Sequence, residues 1–266
     1  MRKIFFICLA IAAAFSALAQ KSKKERREER HSRINALIKQ EEEGVIAYHK
    51  QIVFGAKLTT DGYGGFMEIG RAKSVKKALL FQLDISERKH QKEQKQTLPF
   101  TSNTPFIFGK INFFYPVKLG VQEQILLGNK NNRNGVNVTG NFGGGISLGL
   151  LRPYYLEITD NTAGNRRSIK YESADSISFV SPTILNSQFA SGPGLGKGWS
   201  DLKVVPGAYG KLSLRFDYGR YNEVVNALDV GITGEIYSKE IPQLIYTKPK
   251  QFFFSAYFAI LFGKRK

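Results

Sequence analysis

From about residue 50 onward, the apolar residues of this chain recur at every second position. Over 207–218, Ala208, Gly210, Leu212, Leu214, Phe216 and Tyr218 share one face, while Tyr209, Lys211, Ser213, Arg215 and Asp217 share the other. Successive side chains of a strand point to opposite sides, so this spacing predicts a strand with one apolar and one polar face. The next segment repeats it, with Leu228, Val230, Ile232, Gly234 and Ile236 opposed to Asp229, Gly231, Thr233 and Glu235. So does 77–88, where Leu79, Phe81, Leu83 and Ile85 oppose Gln82, Asp84, Ser86 and Arg88. Over 136–150, Val136, Val138, Phe142, Ile146, Leu148 and Leu150 oppose Asn137, Thr139, Asn141, Gly143, Gly145, Ser147 and Gly149. Phe252, Phe254, Ala256, Phe258, Ile260 and Phe262 form the apolar face of a last strand, against Ser255 and Tyr257. Weaker alternation marks 51–60, where Ile52, Phe54, Ala56 and Leu58 share the apolar face, and also 63–72 and 116–127. In the last of these, Glu123 falls on the apolar face, which calls for a bulge or for a place at a membrane interface.

Alternation fits a soluble barrel or sandwich with its apolar face inward. It fits equally a membrane barrel with lipid outside and a polar lumen. The apolar faces here carry large side chains and almost no charge, and the opposing faces carry Lys, Arg, Asp and Glu in mid-strand, which favours the membrane version. Connection lengths give a topology. The stretches 73–76, 128–135 and 219–225 are short, and 89–115, 159–203 and 239–250 are long. Short periplasmic turns alternating with long outer loops are how such barrels are built. The expected fold is therefore all-β: an antiparallel transmembrane β-barrel of about eight strands with both termini in the periplasm. The count rises to ten if the aromatic stretch 105–116 adds strands instead of capping the mouth.

The N-terminus adds an address. Arg2 and Lys3 precede an apolar run from Ile4 to Phe15, and Ala17-Leu18-Ala19 is a small-x-small cleavage site. The run is too short for a membrane helix, and the pattern is that of a secretory signal peptide over residues 1–19. Cys8 lies inside that run, away from the cleavage point, so a lipoprotein anchor is excluded. It is the only cysteine, so the mature chain has no disulfide, thiolate nucleophile or cysteine-ligated metal. Residues 20–45 are rich in charge, with Glu25, Glu28 and Glu29 interspersed among Arg26, Arg27, Arg30 and Arg33. Charge pairs at helical spacing predict a short solvated helix or arm. Residues 46–266 form the barrel domain. No later stretch is long and apolar enough for a membrane helix.

The 20 Phe, 12 Tyr and 26 Gly suit strands and tight turns. The formal charge is +17, and 17 − 2 = +15 once Arg2 and Lys3 are removed. Such a balance usually points to nucleic acid. Export turns it toward anionic membrane surfaces instead, namely lipopolysaccharide and phospholipid headgroups.

Three segments carry a resemblance: Leu148 to Glu157 (LGLLRPYYLE), Leu214 to Glu223 (LRFDYGRYNE) and the end strand Phe252 to Phe262. On these, roughly residues 45–266 resemble small outer-membrane barrels of the OmpA/OmpX type, and among them the exported barrel proteins of Bacteroidetes-like bacteria. The resemblance implies an architecture and no chemistry. It also implies recognition of the end strand by the barrel-assembly machinery. Barrels of this class usually end on an aromatic residue, whereas here Phe262 is followed by Gly263-Lys264-Arg265-Lys266, a basic tail.

No catalytic, cofactor or metal site is expected. His31 lies in the arm, His49 precedes the first strand and His90 sits at a strand end among Arg88, Lys89 and Lys92. None is spaced for a triad, and no H-E-x-x-H, G-x-S-x-G or calcium-loop spacing occurs. Gly143-Gly144-Gly145 lies within a strand with no Lys-Ser/Thr after it, so it reads as room for bulky neighbours and not as a phosphate loop.

The candidate site is the lumen. Lys57, Asp84, Arg88, Lys118, Lys211, Arg215, Asp217, Asp229 and Glu235 all face it on these registers. An eight-stranded interior is just wide enough for side chains to fill, and buried charges must be paired. Lys211 and Arg215 are expected to reach Asp229 or Glu235, with Asp217 near the periplasmic end. The expected function is a non-enzymatic envelope or binding protein with a plugged lumen and long outer loops, with an envelope protein as a further partner. The alternative is a narrow porin or an accessory barrel of a secretion or uptake machine.

Overall fold

The alternating segments become eight long strands that close into a ring. In the computed structural model, the described residues are 28, 30–32, 34, 49–74, 76–96, 105–128, 135–159, 166–171, 192, 194, 196–219 and 223–265. The barrel strands are β1 (Lys50–Thr59), β2 (Gly62–Ser74), β3 (Lys77–Arg88), β6 (Asn112–Gly128), β7 (Asn137–Pro153), β10 (Lys203–Asp217), β11 (Val224–Ile241) and β12 (Lys250–Arg265). Four short strands lie in the connections: β4 (Lys95–Gln96) with β5 (Phe106–Ile107), and β8 (Tyr155–Thr159) with β9 (Arg166–Lys170). Around the ring the order is β1, β12, β11, β10, β7, β6, β3, β2, every neighbouring pair antiparallel. Pairing of β1 with β12 closes the ring, which therefore has no free edge strand.

The two faces separate as the alternation predicts. Phe54, Leu58, Phe81, Ile85, Phe142, Ile146, Leu212, Phe254 and Phe262 point outward and are exposed. Lys57, Asp84, Lys118, Arg215, Asp229 and Glu235 point inward and are buried. An apolar outer surface around a charged interior is the reverse of a soluble barrel, whose large apolar side chains face in. Only a lipid surround makes that arrangement stable, so the chain is a transmembrane β-barrel.

The lumen is layered. Nearest the chain termini, Val53, Val225, Ala227, Ala259 and Leu261 make an apolar layer with Phe66 and Tyr257. Charged residues occupy the middle. Toward the other end, Phe114, Tyr237 and Phe253 pack ring on ring, with centroids 5.3–5.8 Å apart. Above them a second apolar cluster, Phe106, Ile107, Tyr154, Leu156, Ile169 and Leu244, sits over the mouth.

Connections divide by end. The turns 75–76, 129–136 and 218–223 share the end that carries the termini, and 60–61, 89–111, 154–202 and 242–249 share the opposite, loop end. Three of the four loop-end connections are long, and 60–61 is a tight turn. The 105–116 stretch adds no barrel strand. Phe106–Ile107 joins the mouth cluster, and β6 starts at Asn112. The ring therefore holds eight strands, not ten.

Two local expectations resolve. Glu123 lies in an unshifted stretch of β6 facing outward, and its Oε1 is 3.0 Å from Lys77 Nζ on β3. Gly263, Lys264 and Arg265, expected as part of a tail, pair with Val53, Ile52 and Gln51 as the last rungs of β12. Of the arm, Glu28, Arg30, His31, Ser32 and Ile34 are helical. The signal-peptide stretch 1–19 and the rest of 20–45 lie outside the described residues.

Candidate functional site

The inward side chains meet as a chain of ion pairs running through the barrel. Each strand contributes because its polar residues fall at alternate positions, and strand tilt carries those positions to a common depth. Toward the termini, Arg215 on β10 donates from Nη2 to Glu68 Oε2 on β2 at 2.7 Å and to Asp229 Oδ2 on β11 at 3.4 Å. Lys211 stands beside them, its Nζ 3.5 Å from Asp229 Oδ2 and 3.7 Å from Glu68 Oε1. Lys211 also lies over the rings of Phe66 and Tyr257, at 5.3 and 5.2 Å.

A second group lies toward the loop end. Glu235 Oε1 receives Lys118 Nζ at 2.5 Å and Arg88 Nη2 at 2.9 Å, while Glu235 Oε2 accepts the Tyr237 hydroxyl at 2.7 Å. Tyr237 is held in turn by Ser147 Oγ at 2.8 Å. Arg88 continues to Asp61 Oδ2 from its Nε at 2.8 Å, to Ser255 Oγ at 3.2 Å, and over the Phe253 ring at 5.0 Å. Between the groups, Lys57 Nζ lies 2.5 Å from Asp84 Oδ2, and Gln82 accepts a hydrogen bond from Gln122 and another from Lys211. Five cations (Lys57, Arg88, Lys118, Lys211 and Arg215) thus face five carboxylates (Asp61, Glu68, Asp84, Asp229 and Glu235). Charges taken out of water are tolerable only when matched in this way.

Eight of the nine residues singled out in the sequence meet in this network. The ninth, Asp217, stands apart. It lies opposite Ala227 at the terminal end, pairs with Arg265 Nη2 at 2.5 Å, and accepts the Gly219 N–H at 2.9 Å. Of the two carboxylates expected within reach of Lys211 and Arg215, both cations take Asp229, and their shared further partner is Glu68. Glu68, Asp61 and Arg265 were missed. Tyr63, Met67 and Ile69 alternate weakly outward, which places Phe66, Glu68 and Gly70 inward, so Glu68 was recoverable. Asp61 lies in a turn, where alternation carries no signal. Arg265 is hidden because a run of basic residues after an aromatic strand reads as a tail.

The histidines are dispersed. His49 precedes β1, His31 is in the helical part of the arm, and His90 lies beyond β3, its Nδ1 accepting the Lys92 N–H at 3.2 Å. Partial burial, then Lys250 and Lys92 nearby, hold His90 below the usual imidazole range. Among the described residues, no cluster of His, Cys, Asp or Glu has the makings of a metal site.

No protein-family model matches the chain, and no curated protein matches it in sequence. Among solved structures, it is similar to the N-terminal β-barrel domain of Pseudomonas aeruginosa OprF, with 10% identity, 80% of this chain and 96% of that one covered, and a TM-score of 0.33. It is also similar to Ail, the attachment invasion locus protein of Yersinia pestis, solved with the heparin analogue sucrose octasulfate. There the identity is 8%, the coverage 82% and 96%, and the TM-score 0.35.

Proposed function

We propose that this protein is a non-enzymatic outer-membrane barrel whose closed, charge-paired lumen makes it a membrane-held scaffold for its loop-end surface, and not a pore. The observation that carries this reading is the cross-lumen network together with the Phe114–Tyr237–Phe253 layer above it. Guanidinium, ammonium and carboxylate groups fill a bore only wide enough for side chains. Conduction requires breaking buried pairs, and removing one partner of such a pair costs about 3–5 kcal/mol.

The terminal end, with its short turns, faces the periplasm, and the loop end faces outward. At that outer end, Arg152 is stacked among Phe113, Trp199 and Tyr115, its Cζ 4.1, 4.9 and 5.7 Å from the ring centres. Aromatic girdles mark the two membrane boundaries of such barrels, so this group sets the outer height. The exposed loop-end lysines, among them Lys92, Lys95, Lys239 and Lys248, suit the anionic sugar-phosphate surface of lipopolysaccharide. The barrel-assembly machinery and an envelope protein that reads the outer loops complete the set of partners.

The test is conductance of the purified protein in planar bilayers. The expected result is a folded, membrane-inserted barrel with no stable channel. A large, steady, reproducible channel overturns the plugged-scaffold reading in favour of a narrow porin.

A further inference from the structure

The outward face of the barrel is uneven at its terminal end. On the sector made by β12, β1, β2 and β3, four basic side chains lie just beyond the apolar belt: Lys264, Lys50, Arg71 and Lys73, all exposed. They are close neighbours. Lys50 is directly opposite Arg71, Lys264 is opposite Ile52 one rung along the same face of β1, and Lys73 stands at the bulge that ends β2. Among the described residues, acidic side chains appear only at the borders. Glu123 takes Lys77, and Glu223 lies in the turn before β11. Among the described residues, the four have no carboxylate partner. Around the rest of the ring, on β6, β7, β10 and β11, the described outward residues at that end include Leu127, Val136, Tyr218 and Val224.

Like charges placed directly opposite on neighbouring strands destabilise a sheet. Lys50 against Arg71 is such a pair, on the outer surface where no lumen carboxylate can reach. An anion lying between them removes the repulsion. Next to them on the same face are Ile52, Ile69 and Phe262, all exposed. Phosphate-binding cations that border a strip of apolar side chains match one ligand chemistry: a headgroup phosphate whose acyl chains run along that strip.

We propose that this sector binds anionic phospholipid of the inner leaflet, with the phosphate held between Lys50, Arg71 and Lys264, and Lys73 at its edge. The inference rests on the membrane orientation given above.

The test reconstitutes the full mature chain in mixed phosphatidylglycerol–phosphatidylcholine vesicles and measures the selectivity of its lipid shell with spin-labelled lipids. The wild type is expected to prefer phosphatidylglycerol by at least about five-fold at the selective sites, the factor one basic residue supplies near an anionic surface. The quadruple variant Lys50→Gln, Arg71→Gln, Lys73→Gln, Lys264→Gln is expected to lose that preference. A second quadruple, Lys92→Gln, Lys95→Gln, Lys239→Gln, Lys248→Gln, removes the same charge from the loop end and is expected to lower the preference by clearly less than the first. Should the first quadruple not fold, the pair Lys50→Gln, Arg71→Gln is expected to lower the preference alone. No preference in the wild type, a preference that survives loss of the sector, or equal loss from both quadruples overturns the proposal. A chain that does not float with vesicles at all fails the membrane reading itself, a separate outcome.

Discussion

Arg215 and Glu68 stand on strands diametrically opposite in the ring, and their side chains meet across the lumen at 2.7 Å. β10 and β2 share no backbone hydrogen bond, so this contact ties together two walls that the sheet connects only the long way round. Arg88 and Glu235, on β3 and β11, make a second diametric tie at 2.9 Å. The barrel is therefore braced internally at two depths.

Removing Arg215 leaves Lys211 as the one cation beside Glu68 and Asp229. Arg215→Ala should destabilise the barrel by about 3–5 kcal/mol, the cost of orphaning buried charge. Glu68→Gln on that background should recover part of the loss, and more than Asp229→Asn does, because Glu68 is the nearer partner. Urea unfolding followed by the fluorescence of Trp199, the only tryptophan, reads both effects. Additive losses in the double variants contradict the pairing.

The lipid face should show a dependence on depth. Leu212 is exposed near the middle of the outward run of β10, flanked by Phe142 and Ile232 on its neighbours. Leu212→Arg should cost about 2–4 kcal/mol, whereas Tyr218→Arg, at the terminal end of the same face, should cost about 0–1 kcal/mol. Equal costs in a lipid-vesicle unfolding titration mean that the belt is misplaced.

Closure of the mouth depends on a missing side chain. A Cβ on Gly149 meets Phe114 Cε2 at 2.9 Å and Tyr237 Cε1 at 3.0 Å. Those rings close the lumen only because β7 presents no side chain there. Gly149→Val should force Tyr237 off Glu235 and Ser147 and cost about 1–3 kcal/mol by overpacking. The readout is the urea midpoint together with the near-ultraviolet dichroism of the tyrosines. Unchanged values for both show that the rings have slack.

Strand identity and facing were legible in the sequence because the period-two signal is local. Leu212 and Arg215 declare their sides from their immediate neighbours, whatever the rest of the chain does. Connection lengths separated a short-turn end from a long-loop end, and an outward apolar face with inward charge made lipid the surrounding solvent. Alternation weakened where glycines replace apolar residues, as along β2, and there Glu68 went unread.

Which charge meets which was decided by closure. Register and tilt around the ring set the height of each inward side chain, and the ring order sets which walls face each other. Glu68 and Arg215 are 147 residues apart and belong to no common hairpin. A charge in a narrow bore of low dielectric takes the nearest carboxylate at its own depth, and nothing in either segment encodes that depth. Sequence alone determined that this lumen is charged and must be balanced. The tertiary structure decided the partners, set Asp217 apart with Arg265, and gathered four basic residues on one flank of the barrel.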